Sequence, residues 1–71
     1  MIILSETVTI KSGAKLCIDV ETSGTAYVAF TRNVSGEFVA VGPWWSGRSY
    51  PFPEAALAAE RDRVGTRYGL A

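Results

Sequence analysis

Over the first two thirds of the chain, apolar and polar positions alternate in short runs rich in β-branched and aromatic side chains, and each run gives way to a glycine-containing break. Alternation of this kind, punctuated by turn residues, is the pattern of an antiparallel meander. It predicts four strands, at residues 2–10, 14–21, 25–32 and 37–41. The breaks are Lys11-Ser12-Gly13, Thr22-Ser23-Gly24 and Asn33-Val34-Ser35-Gly36. Each ends in a glycine, which takes the positive φ of a tight hairpin at little steric cost.

Successive residues of a strand point to opposite faces, so the alternation also predicts what each face meets. In the second strand Leu16, Ile18 and Val20 alternate with Lys15, Cys17, Asp19 and Glu21, which assigns one face to the core and the other to water. In the third strand Ala26, Val28 and Phe30 form an apolar row. Tyr27 and Ala29 opposite them are not strongly polar either, so this strand has a second face to be covered or to bind something.

Beyond Val41 the pattern breaks at Gly42-Pro43, and Trp44-Trp45-Ser46-Gly47-Arg48-Ser49-Tyr50-Pro51-Phe52-Pro53 follows. Its proline and glycine density predicts a loop or edge hairpin, with residues 48–50 as a short edge strand. Pro53 then opens the alanine-rich stretch 53–64, whose proline at the first position and acidic first turn predict a helix. Gly65 suits its C-terminal cap, and Arg61 and Arg63 suit the negative end of its dipole. Leu57, Val64 and the alanines near Ala56 are expected against the sheet, with Glu60, Asp62 and Arg63 toward water. Residues 66–71 are expected either to fray or to tuck Tyr68 and Leu70 against the sheet. The architecture expected is α+β: one domain over 1–71, an antiparallel meander of four to five strands packed against one C-terminal helix.

Composition narrows the function more than the fold. With 71 residues, 48% hydrophobic and 20% charged, the chain has the balance of a globular domain with one core. Small domains often reinforce such a core with disulfides, metal or self-association. Cys17 is the only cysteine and histidine is absent, which removes an intramolecular disulfide and the usual nitrogen ligand of zinc. Self-association stays open. Seven basic residues balance seven acidic ones, so there is no broad attraction to nucleic acid. The apolar start Met1-Ile2-Ile3-Leu4 is too short for a signal-peptide core or a membrane span, and a cytoplasmic protein with a reduced thiol is expected.

No enzyme is expected. General acid–base catalysis most often uses histidine, no phosphate-cradling Gly-x-x-x-x-Gly-Lys run occurs, and the glycines of the first two thirds fall singly at turns. No cofactor or metal is implied. Cys17 shares its face with Lys15 and Asp19, a mixed setting that does not mark an activated thiol. Asp19 and Glu21 on one face read as the solvated side of a sheet.

The adjacent pair Trp44-Trp45 is more informative, because neighbouring side chains in extended backbone diverge and only one easily enters a single core. With Arg48 and Tyr50 in the same segment, the composition is that of an interface hot spot, or of a stacking platform for a base or sugar. The plainer role for both rings is to close the open end of the core. Arg32 and Arg48 are suited to clamping a phosphate or carboxylate, or to surface pairing with Glu37 and Glu54. The expected partner-binding set is therefore Trp44, Trp45, Arg48, Tyr50, Arg32 and Tyr27.

At Ser49-Tyr50-Pro51-Phe52-Pro53-Glu54-Ala55-Ala56 an edge segment passes through aromatic and proline residues into an alanine-rich helix. This resembles the final strand-to-helix junction of many short phage and mobile-element proteins. Some of these are anti-CRISPR inhibitors, and others are AP2-like or integrase arm domains that lay a sheet on DNA. The resemblance implies a non-catalytic inhibitor that occupies a surface of a larger host protein or ribonucleoprotein complex in the host cytoplasm. The alternatives are a small nucleic-acid-binding module using the sheet face, and a phage structural subunit that self-assembles.

Overall fold

The structure, a computed structural model, describes residues 1–39 and 48–71. Among these residues three strands form one antiparallel sheet in the order β1-β2-β3, with β1 at Ile2–Thr9, β2 at Lys15–Ser23 and β3 at Ala26–Asn33. A single helix, α1, runs over Pro53–Tyr68 and packs on one face of the sheet, giving two α+β layers.

The first hairpin closes where the Ile10 N–H donates to the Ala14 carbonyl and the Gly13 N–H to the Ile10 carbonyl, both at 2.9 Å. Gly13 has φ 92°, so the turn inserts one extra residue on its return side. The second hairpin pairs Ser23 directly with Ala26, leaving only Gly24 and Thr25 in the turn. Loop length sets register, and register decides which face each β3 side chain joins. Thr31 sits opposite Ile18 and Ala29 opposite Val20, so Tyr27, Ala29 and Thr31 face the helix. The more apolar row, Val28 and Phe30, lies on the other face.

Ile18 and Val20 are fully buried beneath Ala56 and Val64 of the helix, with Leu16, Val8, Ile10, Ala29 and Leu57 around them. Truncating Ile18 to Ala would cost about 2–5 kcal/mol, because so small a core has little chance to collapse around the void. Ala56 and Ala29 are small where helix and sheet meet, which lets α1 lie close.

Several expectations need correction. The fourth strand is reduced, among the described residues, to a bridge between Phe38 and Arg32 flanked by bonds from Asn33 to Glu37 and from Val39 to Thr31; its last two residues lie outside the described range. The short edge strand at 48–50 becomes one reciprocal pair, Tyr50 with Tyr27 at 2.8 and 2.9 Å. The helix does not stop at Gly65 but continues to Tyr68, and Gly69 (φ 74°) caps it through an N–H bond to the Gly65 carbonyl. Arg67, not Arg61 or Arg63, is the basic residue of the last turn. Of the two outcomes expected for residues 66–71, the chain tucks back: the Lys11 N–H donates to the Gly69 carbonyl and the Ala71 N–H to the Thr9 carbonyl, each at 2.9 Å, and Tyr68 packs against the core.

Glu60, expected in water, is 1% exposed. The Thr31 hydroxyl donates to its Oε2 at 2.7 Å, and Arg63 donates to Oε1 at 2.8 Å while extending to the Tyr50 hydroxyl at 3.5 Å. Burial works against the Arg63 charge, but its bonds to Tyr50 and Glu60 outweigh that and leave it more basic than a free guanidinium. A buried carboxyl survives here because both of its oxygens have partners.

Candidate functional site

The helix covers one face of the sheet, and the opposite face carries Ile2 from β1, Cys17, Asp19 and Glu21 from β2, and Val28, Phe30 and Arg32 from β3. The bridge to Arg32 brings Phe38 onto the same face. Ile2, Asp19, Glu21, Phe30, Arg32 and Phe38 line a shallow hollow of about 270 Å³.

Its polar floor is tightly constructed. Arg32 Nε donates to Asp19 Oδ2 at 2.6 Å, the Ser5 hydroxyl donates to Asp19 Oδ1 at 2.7 Å, and Arg32 Nη2 lies 3.4 Å from Cys17 Sγ. Strand register explains the cluster: Ser5 is opposite Asp19, Cys17 is opposite Arg32, and Arg32 reaches diagonally to Asp19. Asp19 is thus buried at 6% exposure, not the solvated carboxylate expected from its outward position. Burial pushes its pKa up, but the bonds from Arg32 and Ser5, the Arg32 charge and the Cys17 thiol together hold it below the ordinary value. The same pairing raises the Arg32 pKa.

The apolar rim is exposed. Phe38 is 77% accessible and meets Phe30 edge-on, with ring centres 6.0 Å apart at 64°, and Ile2 is 50% accessible. An aromatic and an aliphatic side chain left in water beside a fixed guanidinium have the composition that anchors protein interfaces. Glu21 and Asp19 offset the charge of Arg32, so the hollow has no strong positive field to attract a phosphate backbone.

The residues expected to bind are not gathered into one patch. Arg32 lies on this face. Tyr27 and Tyr50 pair on the helix side, half-buried against the core, so they are structural neighbours rather than part of the open face. Arg48 is exposed. Trp44 and Trp45 lie outside the described residues. Sequence reasoning missed Phe38 and Ile2, read Asp19 as solvated, and left open which face of β3 the helix covers. The usable signal was the strand's apolar character on both faces: two faces cannot share one helix.

Among the described residues no helix is long and apolar enough to cross a membrane, and no group of three or more His, Cys, Asp or Glu is placed to hold a metal. Comparison with protein-family models, curated proteins and solved structures returned no match.

Proposed function

We propose that this chain is a non-catalytic binding domain that docks the open face of its sheet onto the surface of a larger protein. The observation that carries this reading is Phe38, 77% exposed and set edge-on against Phe30 beside an arginine already locked by Asp19. Phe38 and Ile2 would enter apolar recesses of the partner and supply most of the affinity. Arg32, held by its own carboxylate, would meet the partner at little further cost in side-chain entropy. Glu21 at the rim favours a basic group opposite it. The junction at residues 49–56 supports the narrower form of the proposal, a phage-encoded inhibitor of the anti-CRISPR type acting on a host protein or ribonucleoprotein complex in the host cytoplasm.

Tagged full-length protein and a Phe38→Ala variant, each passed over nuclease-treated host lysate at moderate salt, test the reading. One defined protein or complex should stay with the wild type and be lost from the variant. Equal retention by both would remove the open face from the interaction. Retention found only in a parallel lysate left without nuclease would replace the proposal with single strands stacking on Phe30 and Phe38.

A further inference from the structure

The two edges of the sheet are treated differently. On the outer edge of β3, Tyr27 pairs with Tyr50, Thr31 accepts from Val39 and Asn33 donates to Glu37, so both ends of that edge are occupied. On β1, antiparallel pairing makes backbone groups alternate between β2 and the outside. Ile10 bonds toward β2, so the even-numbered residues Val8, Glu6 and Leu4 do the same, and the odd-numbered ones turn outward. Ala71 occupies the outward carbonyl of Thr9, and a register irregularity disturbs the strand between Ile2 and Leu4. Between these two limits Ser5 and Thr7 present two N–H groups and two carbonyls in regular β geometry.

Such an edge is usually blunted by lysine, proline or an uncompensated charge. β1 contains neither lysine nor proline. Its single charge, Glu6, points to the helix side, where Arg61 grips it through Nε at 2.7 Å and Nη2 at 2.5 Å. The helix lies mainly over β2 and β3. Beside it Leu4 is only partly covered, and a hollow of about 280 Å³ lined by Ala58, Arg61, Asp62, Gly65, Thr66 and Leu70 is open to solvent.

We infer that β1 pairs antiparallel with β1 of a second copy of this chain, around a two-fold axis passing beside Glu6, so that two three-stranded sheets become one continuous sheet. The free stretch is symmetric about Glu6. Ser5 of one copy exchanges both backbone bonds with Thr7 of the other, and the same exchange repeats across the axis. The irregular end of each strand then meets Ala71 of its mate beside Thr9, so pairing stops there and the terminal Ala71 has to move aside for Ile3 of the mate.

A second copy fits better than a foreign peptide because both strands are already formed and neither must be ordered on binding. Zero net charge removes self-repulsion, and the helix flank carries both signs in Arg61 and Asp62. A standard interface covers about 800 Å² per partner. That is under a fifth of the 4498 Å² surface of this chain, within reach of a strand edge plus the adjoining helix flank. The pairing does not depend on the open-face reading. It would place two such faces side by side.

Light scattering on the full chain should give twice 7.6 kDa. Thr7→Pro removes an outward N–H that the monomer does not use, so it should retain its far-ultraviolet circular dichroism and weigh 7.6 kDa. Arg61→Ala leaves two carboxylates facing each other on the axis and should weaken association about tenfold, and adding Glu6→Gln should restore it. Should Thr7→Pro fail to fold, amide exchange in the wild type decides: the Ser5 and Thr7 N–H groups should be protected at high concentration and exchange freely on dilution. A wild type that stays monomeric at millimolar concentration, a folded Thr7→Pro dimer, concentration-independent exchange at Ser5 and Thr7, or unchanged association in Arg61→Ala would each overturn the pairing.

Discussion

Among the described residues two carboxylates are buried, and they are satisfied by different means. Glu60 is held between Thr31 and Arg63 in the layer between helix and sheet, and Asp19 is held by Ser5 and Arg32 on the open face. Glu60 is the less replaceable, because water cannot reach an oxygen that loses its donor. Thr31→Val keeps the shape of the side chain and removes the hydroxyl. It should lower unfolding free energy by about 1–3 kcal/mol in urea titration, the cost of one unsatisfied buried acceptor. Phe38 is the opposite case. As an exposed side chain touching Phe30 at one edge, it should change stability by no more than about 0.5 kcal/mol when replaced by Ala. Loss of binding by a Phe38→Ala variant with an unchanged melt would therefore locate an interface and not a folding defect.

At the scale of elements, the two glycines near the end of α1 separate what sequence can and cannot decide. Gly65 lies inside the helix, and a Cβ there would sit 3.6 Å from Leu70 Cγ, an ordinary contact. Gly69 has φ 74°, and its Cβ would come within 2.8 Å of Lys11 Cδ. Gly65→Ala should stabilise by about 0.4–1 kcal/mol through the unfolded chain, and Gly69→Ala should destabilise by about 1–3 kcal/mol, both read from denaturant midpoints at low protein concentration. The sequence points to Gly65 as the cap because it is the first glycine after the alanine-rich run that Pro53 opens. What moves the end to Gly69 is tertiary: the Lys11 and Thr9 backbones receive the chain just beyond it. The helix start at Pro53, the first three strands and the first glycine turn were legible because each follows from local propensity. The second turn falls at Gly24-Thr25 and not at Thr22-Ser23-Gly24, since Thr22 and Ser23 stay in β2. The face assignment of β3 was not, since it depends on a turn of only two residues and moving the register by one reverses every side chain. The candidate face inherited that difficulty. Its rim residue Phe38 joins the sheet through an isolated bridge, which leaves no alternation to read.

For the molecule as a whole, two ion pairs among the described residues link distant parts of the chain and are expected to shape its response to acid. Glu6 on β1 meets Arg61 on α1, and Asp19 on β2 meets Arg32 on β3, so one pair ties the helix to the sheet edge and the other ties two strands on the far face. The bond from Arg61 holds the Glu6 carboxyl below its ordinary 4.5, against a smaller opposing effect of burial. Burial is the larger influence on Asp19 and raises it, yet its combined donors and the Arg32 charge bring it below the ordinary 3.8. Both carboxyls are therefore more acidic in the folded state than in the unfolded one. Such a group contributes its full stability above its unfolded pKa, and that contribution is lost as pH falls through the depressed folded value. Unfolding free energy, followed by urea titration at a series of pH values, should be level near neutrality and fall once the pH drops below about 4.5, in the carboxylate range. Arg32→Ala and Arg61→Ala should each flatten part of that descent, because removing the guanidinium removes the main source of the depression. A wild-type profile that stays level down to pH 3, or an Arg32→Ala/Arg61→Ala double variant that declines as steeply as the wild type, would show that these pairs do not govern acid stability and that the fold rests on its apolar layer alone.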